Sequence, residues 1–149
     1  MSPYKKVSGY QLRDDLYYDQ ENNYWIEKDT VDTVKIGFDE LGLDISGTVS
    51  SISLPRPPQH VERGDQIGAL EAEKFVGPLV APFTGTVIEV NEEVLDGVRS
   101  LYEAPYETWM IRMKLSDENE LDHLVAPSNS LESFKIRVER YRKAGILSW

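Results

Sequence analysis

Lys74 is the residue whose surroundings most clearly suggest chemistry. Residues 68–91 form two short apolar runs joined by a charged segment, and Lys74 lies within that segment. Nearby prolines and glycines, such as Pro78, Pro82 and Gly85, are typical of a hairpin whose register cannot slide easily. A lysine at a hairpin tip presents its amine to other proteins. We therefore expect either covalent attachment of a cofactor or an ordinary solvated lysine on a turn.

Two carboxylates precede this lysine. Glu71 and Glu73 occupy alternate positions, and alternate side chains of a strand point to the same face. Such a pair could act as a general acid and base. The competing interpretation, which we favour, is that both are solvated charges read by the enzyme that modifies Lys74.

The other residue types exclude several kinds of site. The chain has no cysteine, which excludes disulfides, thiolate metal ligands and a cysteine nucleophile. Its 2 histidines, His60 and His123, are too few for a multi-histidine metal site, and we expect both on the surface. The sequence therefore predicts no catalytic residue and no metal site.

Size and charge limit the possible partners. With 149 residues, 40% of them hydrophobic and 28% charged, the chain has the composition of a globular domain. Its net charge of −10 disfavours nucleic acids and anionic membranes, because their phosphates would be repelled. No apolar run approaches the ~20 residues that span a bilayer, and residues 1–6 lack the apolar stretch of a signal peptide. We expect a cytoplasmic protein that binds other proteins.

The elements that must position the lysine are mostly short strands. Residues 24–27 and 33–38 are β-branched and aromatic runs bounded by polar turns, which predicts a pair of strands. Alternating apolar and polar residues over 49–54 and 109–115 predict two more half-buried strands. Prolines at residues 55, 57 and 58 should end the first of these, since proline cannot donate to a sheet ladder.

Two other segments carry weaker patterns. The first ~15 residues show little periodicity, so we expect an irregular or loosely helical lead-in. Residues 38–43 could form a short helix or a turn, because Asp39 and Glu40 suit the start of a helix.

Helices are expected after residue 115. Ser116 could cap a helix that runs to about Val125, and Asn129 with Glu132 fits a capping box. Apolar residues at spacings of three and four then predict an amphipathic helix over about 130–144, which Gly145 should end. Its predicted apolar face comprises Leu131, Phe134, Val138 and Tyr141, and its predicted basic face comprises Lys135, Arg137, Arg140, Arg142 and Lys143.

The order of these elements predicts the fold class. Many short strands with regular turn signals, followed by helices, suggest a mainly β protein rather than a parallel α/β sheet. We expect a flattened β sandwich or barrel with flanking helices and a C-terminal helix. Residues 1–149 are predicted to form a single domain, with its core at about 16–125.

Residues 71–91 also carry a family resemblance. Glu71-Ala72-Glu73-Lys74, followed by residues 81–91, resembles the lipoyl-lysine segment of the glycine cleavage system H-protein family. That family reads Glu-Ser-Val-Lys and then, at the same distance, Ala/Ser-Pro-Val-Ser-Gly-Glu-Val-Val-Glu-Val-Asn. The similarity covers roughly residues 16–125, with matching spacing from Gly37 to Lys74.

The resemblance implies a lipoyl carrier with the lipoyl-domain type of β sandwich. Lipoate would be joined by an amide bond to Lys74, and the chain would be a carrier rather than an enzyme. The implied partners are dihydrolipoamide dehydrogenase and a lipoate ligase or lipoyl transferase. Glu71 and Glu73 are the residues that such a ligase could recognise.

Several residues near the lysine differ from the family pattern. These are Asn23, Asp39, Glu40, Thr48, Ala72, Glu73 and the run Phe75-Val76-Gly77-Pro78. Over residues 71–78 and 37–47 the chain resembles the H-protein-like lipoate-binding proteins of the heterodisulfide-reductase-like sulfur-oxidation system. That resemblance implies an arm that shuttles sulfur intermediates or reducing equivalents to a heterodisulfide-reductase-like complex. The alternative is a glycine cleavage system H protein, which carries the aminomethyl group from glycine decarboxylase.

Two further alternatives concern Lys74 itself. The chain could be an unmodified H-protein-like binding module. It could also be a biotin carrier, but a biotinylated lysine usually lies between two methionines, whereas Lys74 lies between Glu73 and Phe75.

Overall fold

The computed structural model describes residues 2–147 and consists mainly of short antiparallel strands. In chain order the elements are β1 Tyr4–Val7, β2 Tyr10–Arg13, β3 Tyr17–Asp19, β4 Tyr24–Lys28, β5 Thr33–Phe38, α1 Glu40–Ser46, β6 Val49–Ser53, β7 Gln59–Val61, β8 Gln66–Ala72, β9 Val76–Val80, β10 Gly85–Val90, α2 Glu92–Asp96, α3 Arg99–Glu103, β11 Ile111–Leu115 and α4 Ser130–Lys143. Two 3₁₀ turns, Glu118–Leu121 and Pro127–Asn129, lie between β11 and α4.

Two sheets enclose the main core. The larger has the strand order β3-β4-β5-β11-β10-β7, and the smaller has the order β6-β8-β9. Ile36 and Met113 of the larger sheet are buried in the same cluster as Leu70 and Leu79 of the smaller one. This arrangement confirms the predicted flattened β sandwich.

A second apolar cluster holds α4 against the rest of the protein. Phe134 and Val138 of α4 are buried with Trp25 of β4 and with Tyr10 and Leu12 of β2. The hairpin β1–β2 and the helix α4 therefore cover the side of the large sheet that bears Trp25. The C-terminal helix is thus part of a core.

The two strands predicted over residues 24–27 and 33–38 are present as β4 and β5, which pair with each other. The strands predicted at 49–54 and 109–115 correspond to β6 and β11. A helix, α1, occupies the place where residues 38–43 were expected to form a helix or turn.

The expectation of an irregular lead-in is wrong. Residues 4–13 form a hairpin, with Val7 paired to Tyr10 across a two-residue turn. Ser8 and Gly9 both adopt positive φ, 53° and 89°, as a tight hairpin turn requires. Tyr10 and Leu12 alternate with more exposed residues and enter the second core cluster.

The helices after residue 115 also need correction. In place of a helix from Ser116 to Val125 there is one 3₁₀ turn, capped by Asp117. Asn129 is the N-cap of α4 but makes no side-chain capping bond, so the capping box is absent. Its φ and ψ of −108° and 3° continue the preceding 3₁₀ turn rather than the extended conformation that capping needs.

The two faces of α4 were also assigned partly wrongly. Leu131, predicted on the apolar face, is exposed, whereas Arg137, predicted on the basic face, is only 2% exposed. Phe134 and Val138 are buried as predicted. Gly145, with a φ of 75°, follows the end of the helix as expected.

Three buried tyrosines make the fold sensitive to alkali. Burial raises the pKa of Tyr18, Tyr24 and Tyr106. Above the unfolded pKa of ~10, the unfolded chain releases phenolic protons that the folded chain keeps, so stability is lost as the pH rises. We expect the free energy of unfolding to fall by about 4 kcal/mol between about pH 9 and pH 11, measured by urea denaturation. An unchanged free energy over this range would contradict this expectation.

Candidate functional site

Lys74 lies at the tip of the β8–β9 hairpin. Glu71 pairs with Val76 at the end of the ladder, and the Ala72 N–H donates to the carbonyl of Phe75 at 2.7 Å. Residues 73–75 therefore form the turn, and the Lys74 side chain is exposed. The predicted position of this lysine is confirmed.

The backbone of the tip is held by the chain around the end of α1. The Lys74 N–H donates to the carbonyl of Ser46 at 2.8 Å, and the Glu73 N–H donates to the carbonyl of Thr48 at 2.9 Å. These bonds fix the main chain while the Lys74 amine remains accessible. A group attached to that amine would be mobile on a fixed base.

Gly47, between these two carbonyls, packs closely against Glu73 under the tip. Its φ is 74°, a conformation that favours glycine. A Cβ built on Gly47 would lie 2.8 Å from Oε1 and 2.9 Å from Cβ of Glu73. The Tyr102 hydroxyl, from α3, donates to the Gly47 carbonyl at 3.1 Å and accepts from the Val49 N–H at 2.7 Å. The corner is therefore fixed from two sides.

Replacing Gly47 by alanine is expected to disturb the tip. With a φ of 74° and a ψ of −165°, this backbone conformation costs ~1–3 kcal/mol for an alanine, and the new methyl group must also displace Glu73. We expect a corresponding loss of unfolding free energy in urea denaturation. We also expect Lys74 to be modified more slowly, and intact mass measures the modified fraction over time.

Gly97→Ala is the matched control, because Gly97 has an extended φ of 176° and no heavy atom lies near its Cβ position. If both substitutions changed stability and modification equally, the close contact between Gly47 and Glu73 would not be the cause of the effect.

A cleft with an acidic lining lies on one side of Lys74. It has a volume of about 650 Å³, and its carboxylates are Glu40, Asp44 and Glu73. The Tyr10 hydroxyl donates to Asp44 at 2.5 Å, and the Gln11 N–H donates to Glu40 at 3.3 Å. Burial raises the pKa of Glu40. We name this the acidic cleft; its charges attract cations and repel anions.

A smaller cleft lies on the other side of Lys74. It has a volume of about 350 Å³, and Glu21 is its only carboxylate. Most of its lining is amide, aromatic and aliphatic: Asn22, Asn23, Tyr24, Phe38, Ile45, Leu70, Phe75, Pro78 and Leu79. We name this the amide cleft. Predominantly apolar walls with a few polar groups are typical of sites for small organic groups.

The two glutamates predicted near the lysine lie in different local structures. Glu73 lies in the turn and lines the acidic cleft, whereas Glu71 lies on β8, and both are exposed. Because β8 ends at Ala72, the alternation that placed both carboxylates on one strand face does not hold. That removes the basis for treating Glu71 and Glu73 as an acid–base pair.

The remaining site predictions concern histidines, metals and membranes. His60 and His123 are both exposed, as predicted. Among residues 2–147 there is no cluster of three or more side chains suited to holding a metal ion. In the same part of the chain, no helix is long and apolar enough to cross a bilayer.

Several residues of the site were not found from the sequence. Tyr102 supports the Gly47 corner but belongs to α3, a five-residue helix without a recognisable pattern. Tyr10 and Asp44 come from segments far apart in the chain, so their hydrogen bond had no local signal. Six of the ten residues that depart from the family pattern line the clefts: Asn23, Phe75 and Pro78 the amide cleft, and Glu40, Thr48 and Glu73 the acidic cleft.

The site fits a cofactor linked to Lys74. The amine is exposed, its backbone is fixed by Ser46, and both clefts begin at this residue. The amide cleft offers apolar walls to a hydrocarbon arm, and no part of the hairpin covers the amine.

Comparison with known proteins gives one consistent result. The family model described as glycine cleavage H-protein matches residues 16–136. The chain is 36% identical over 114 residues to the glycine cleavage system H protein of Staphylococcus carnosus, covering 76% of this chain and 89% of that protein. It is 32% identical over 141 residues to glycine cleavage system H protein 2 of Aquifex aeolicus, covering 91% of this chain and 88% of that protein.

A solved structure shows the same fold. The crystal structure of a glycine cleavage system H protein from Mycobacterium marinum superposes with a TM-score of 0.70 at 22% identity, over 83% of this chain and 98% of that one. Proteins of this family carry lipoate covalently on a lysine and are carriers, not catalysts. The model match and the two relatives each cover most of the chain, which therefore belongs to the glycine cleavage H-protein family.

Proposed function

We propose that this protein is a carrier with lipoate attached to Lys74. The observation that supports the proposal most directly is the fixed hairpin tip, where the Lys74 N–H is bonded to Ser46 while the amine is exposed between two clefts. When bound, lipoate supplies a dithiolane that accepts an electron pair or a molecular fragment. The role of the chain is to hold the arm and present it to partner enzymes.

The proposed partners follow from that role. A lipoate ligase or lipoyl transferase must approach the Lys74 amine, so it would contact Glu71, Glu73 and the exposed residues Phe75 and Val76. Dihydrolipoamide dehydrogenase would restore the oxidised arm. We expect these encounters to take place in the cytoplasm.

The first candidate for the transported group is the aminomethyl group of glycine cleavage. The names of the relatives favour it, since both are glycine cleavage system H proteins. The acidic cleft also suits it, because a protonated amine would be attracted by Glu40, Asp44 and Glu73.

The second candidate is a sulfur intermediate of a heterodisulfide-reductase-like pathway. One observation favours it: residues that depart from the family pattern, Asn23, Phe75 and Pro78, line the amide cleft beside Lys74. This cleft has a single carboxylate, Glu21, so it attracts a cationic fragment weakly. It suits an uncharged fragment or one that forms hydrogen bonds with the asparagine amides.

Loading by glycine decarboxylase distinguishes the two candidates. The lipoylated protein is incubated with glycine and glycine decarboxylase, and the gain of an aminomethyl group is followed by intact mass. Efficient loading supports the first candidate and overturns the second. No loading of a fully lipoylated protein, together with electron transfer to a heterodisulfide-reductase-like complex, supports the second.

Control samples make this test specific. An H protein from a glycine cleavage system serves as the positive control for the decarboxylase, and the Lys74→Arg variant serves as the negative control. The unmodified protein is expected to show no turnover by itself. Turnover by the unmodified protein would contradict the carrier function whatever the transported group.

A further inference from the structure

A buried arginine contacts two elements that contribute to the lining of the amide cleft: the loop that contains Asn23 and, through its cap Asp39, the helix α1. Arg137 of α4 is 2% exposed, and its Nη1 donates to Oδ1 of Asn23 at 3.0 Å. Its Nη2 donates to Oδ2 of the buried Asp39 at 2.5 Å. Asn23 lines the amide cleft, and Asp39 stands at the start of α1, whose end lines the same cleft.

The first of these elements is positioned by close packing. Asn23 has a φ of 59°, and its carbonyl accepts from the Asp39 N–H at 3.0 Å. A Cβ on Gly42 of α1 would lie 2.5 Å from Cβ of Asn23, so the loop and the helix are in direct contact there. Arg137 adds a bond to the side chain of Asn23, and this bond fixes a residue that lines the cleft.

The second of these elements connects Arg137 to the lysine. Asp39 caps α1 by accepting from the Gly42 N–H at 2.7 Å. The last residue of α1, Ser46, accepts from the Lys74 N–H. A seven-residue helix is about 10 Å long, so α1 links Asp39 to the carbonyl of Ser46 that holds the hairpin tip.

The contact is built from residues that set this chain apart from the family pattern. Asn23 and Asp39 are two of the residues that differ from that pattern. Arg137 directly follows residues 16–136, the part that the family model matches. A buried ion pair often adds no net stability compared with apolar residues of similar volume, although breaking one side of it is costly.

We propose that Arg137 is a positioning residue for the lipoyl arm. By holding Asn23 and Asp39 together, it sets the width of the amide cleft in which an arm on Lys74 rests. The inference rests on the proposed attachment of lipoate to Lys74. The lining of this cleft is mostly amide, aromatic and aliphatic and suits the uncharged hydrocarbon arm, whereas the acidic cleft carries three carboxylates, Glu40, Asp44 and Glu73.

The test uses a double variant that leaves no buried charge unpaired. Asp39→Asn with Arg137→Met keeps a side chain that can cap α1, because asparagine caps as well as aspartate, and it removes the bond to Asn23. The matched control is Arg140→Met, an exposed arginine on the same helix. Each full-length protein is lipoylated to completion, checked by intact mass, and its melting temperature is measured.

Two readouts report the position of the arm. The first is the change in backbone amide NMR shifts of residues 21–24 between unmodified and lipoylated protein. The second is the rate at which a small phosphine reduces the lipoyl disulfide. In the parent protein and the control we expect shifts at residues 21–24 and slow reduction. In the double variant we expect those shifts to vanish and reduction to be roughly fivefold faster, as the docked population is lost.

The proposal is overturned if the folded double variant keeps the parent's shifts and reduction rate. It is also overturned if the parent's arm shifts only residues of the acidic cleft. Failure of the proposed function is a separate result, in which Lys74 takes up no lipoate. In that case a dithiolane arm is attached to a Lys74→Cys variant, whose thiol is unique because the chain has no cysteine, and the same shifts are read.

Discussion

A Lys74→Arg variant is expected to carry no lipoate and to transfer no group between partner enzymes. Arginine keeps the positive charge and the backbone N–H that donates to Ser46, so the hairpin tip should be unchanged. A guanidinium stays protonated and does not form the amide that a ligase makes with lysine. We expect complete loss of the lipoyl mass increment, measured on the intact protein after incubation with lipoate ligase.

The stability of this variant should hardly change. Lys74 is exposed, and surface substitutions usually alter the free energy of unfolding by less than ~0.5 kcal/mol. Lys143→Arg, an exposed lysine at the end of α4, is the matched control and should be lipoylated like the parent. Retention of the lipoyl group in the Lys74→Arg variant would place the attachment site elsewhere.

An Asp39→Ala variant is expected to show the largest loss of stability. Asp39 is 0% exposed and Arg137 is 2% exposed, so removing the carboxylate leaves a buried guanidinium without its counter-ion. Breaking one side of such a pair typically costs ~3–5 kcal/mol. The cap on Gly42 is lost as well. We expect a lower midpoint in urea denaturation, with an unchanged slope.

The double variant Asp39→Asn with Arg137→Met separates the two causes of this loss, the unpaired buried charge and the missing helix cap. It keeps an acceptor for Gly42 and removes both charges, so most of the lost stability should return. A loss of less than about 1 kcal/mol in Asp39→Ala would contradict the burial of this ion pair, because an exposed pair contributes about that much or less.

Local patterns explain which elements the sequence could predict. The hairpin around Lys74 and the strands β4 and β5 have β-branched residues, prolines and glycines close together in the chain, so their signals are local. The hairpin β1–β2 was missed because its turn is only Ser8 and Gly9 and its strands are four residues each. Short strands leave too few alternations to distinguish them from an irregular segment.

The burial of Arg137 shows why a charge pattern can mislead. Its charge groups it with the other basic residues of α4, but its spacing of three from Phe134 and four from Tyr141 places it beside the apolar face. Its burial depends on Asp39 and Asn23, which are 98 and 114 residues away. The sequence contains no local signal for a pair at such a separation.

The two clefts could not be predicted from local sequence patterns either. The sequence placed Lys74 at a tip and marked the unusual residues around it. It could not show that these residues divide between an acidic and an amide cleft, because each lining is assembled from several separate segments of the chain.

Peptide mass mapping of the protein purified from its native host tests the central claim most directly. The cells are grown with lipoate available, and the peptide that contains Lys74 is compared with the intact mass. The account predicts a single lipoyl increment, located on Lys74. An unmodified Lys74 in cells whose other lipoyl proteins are fully modified would contradict it.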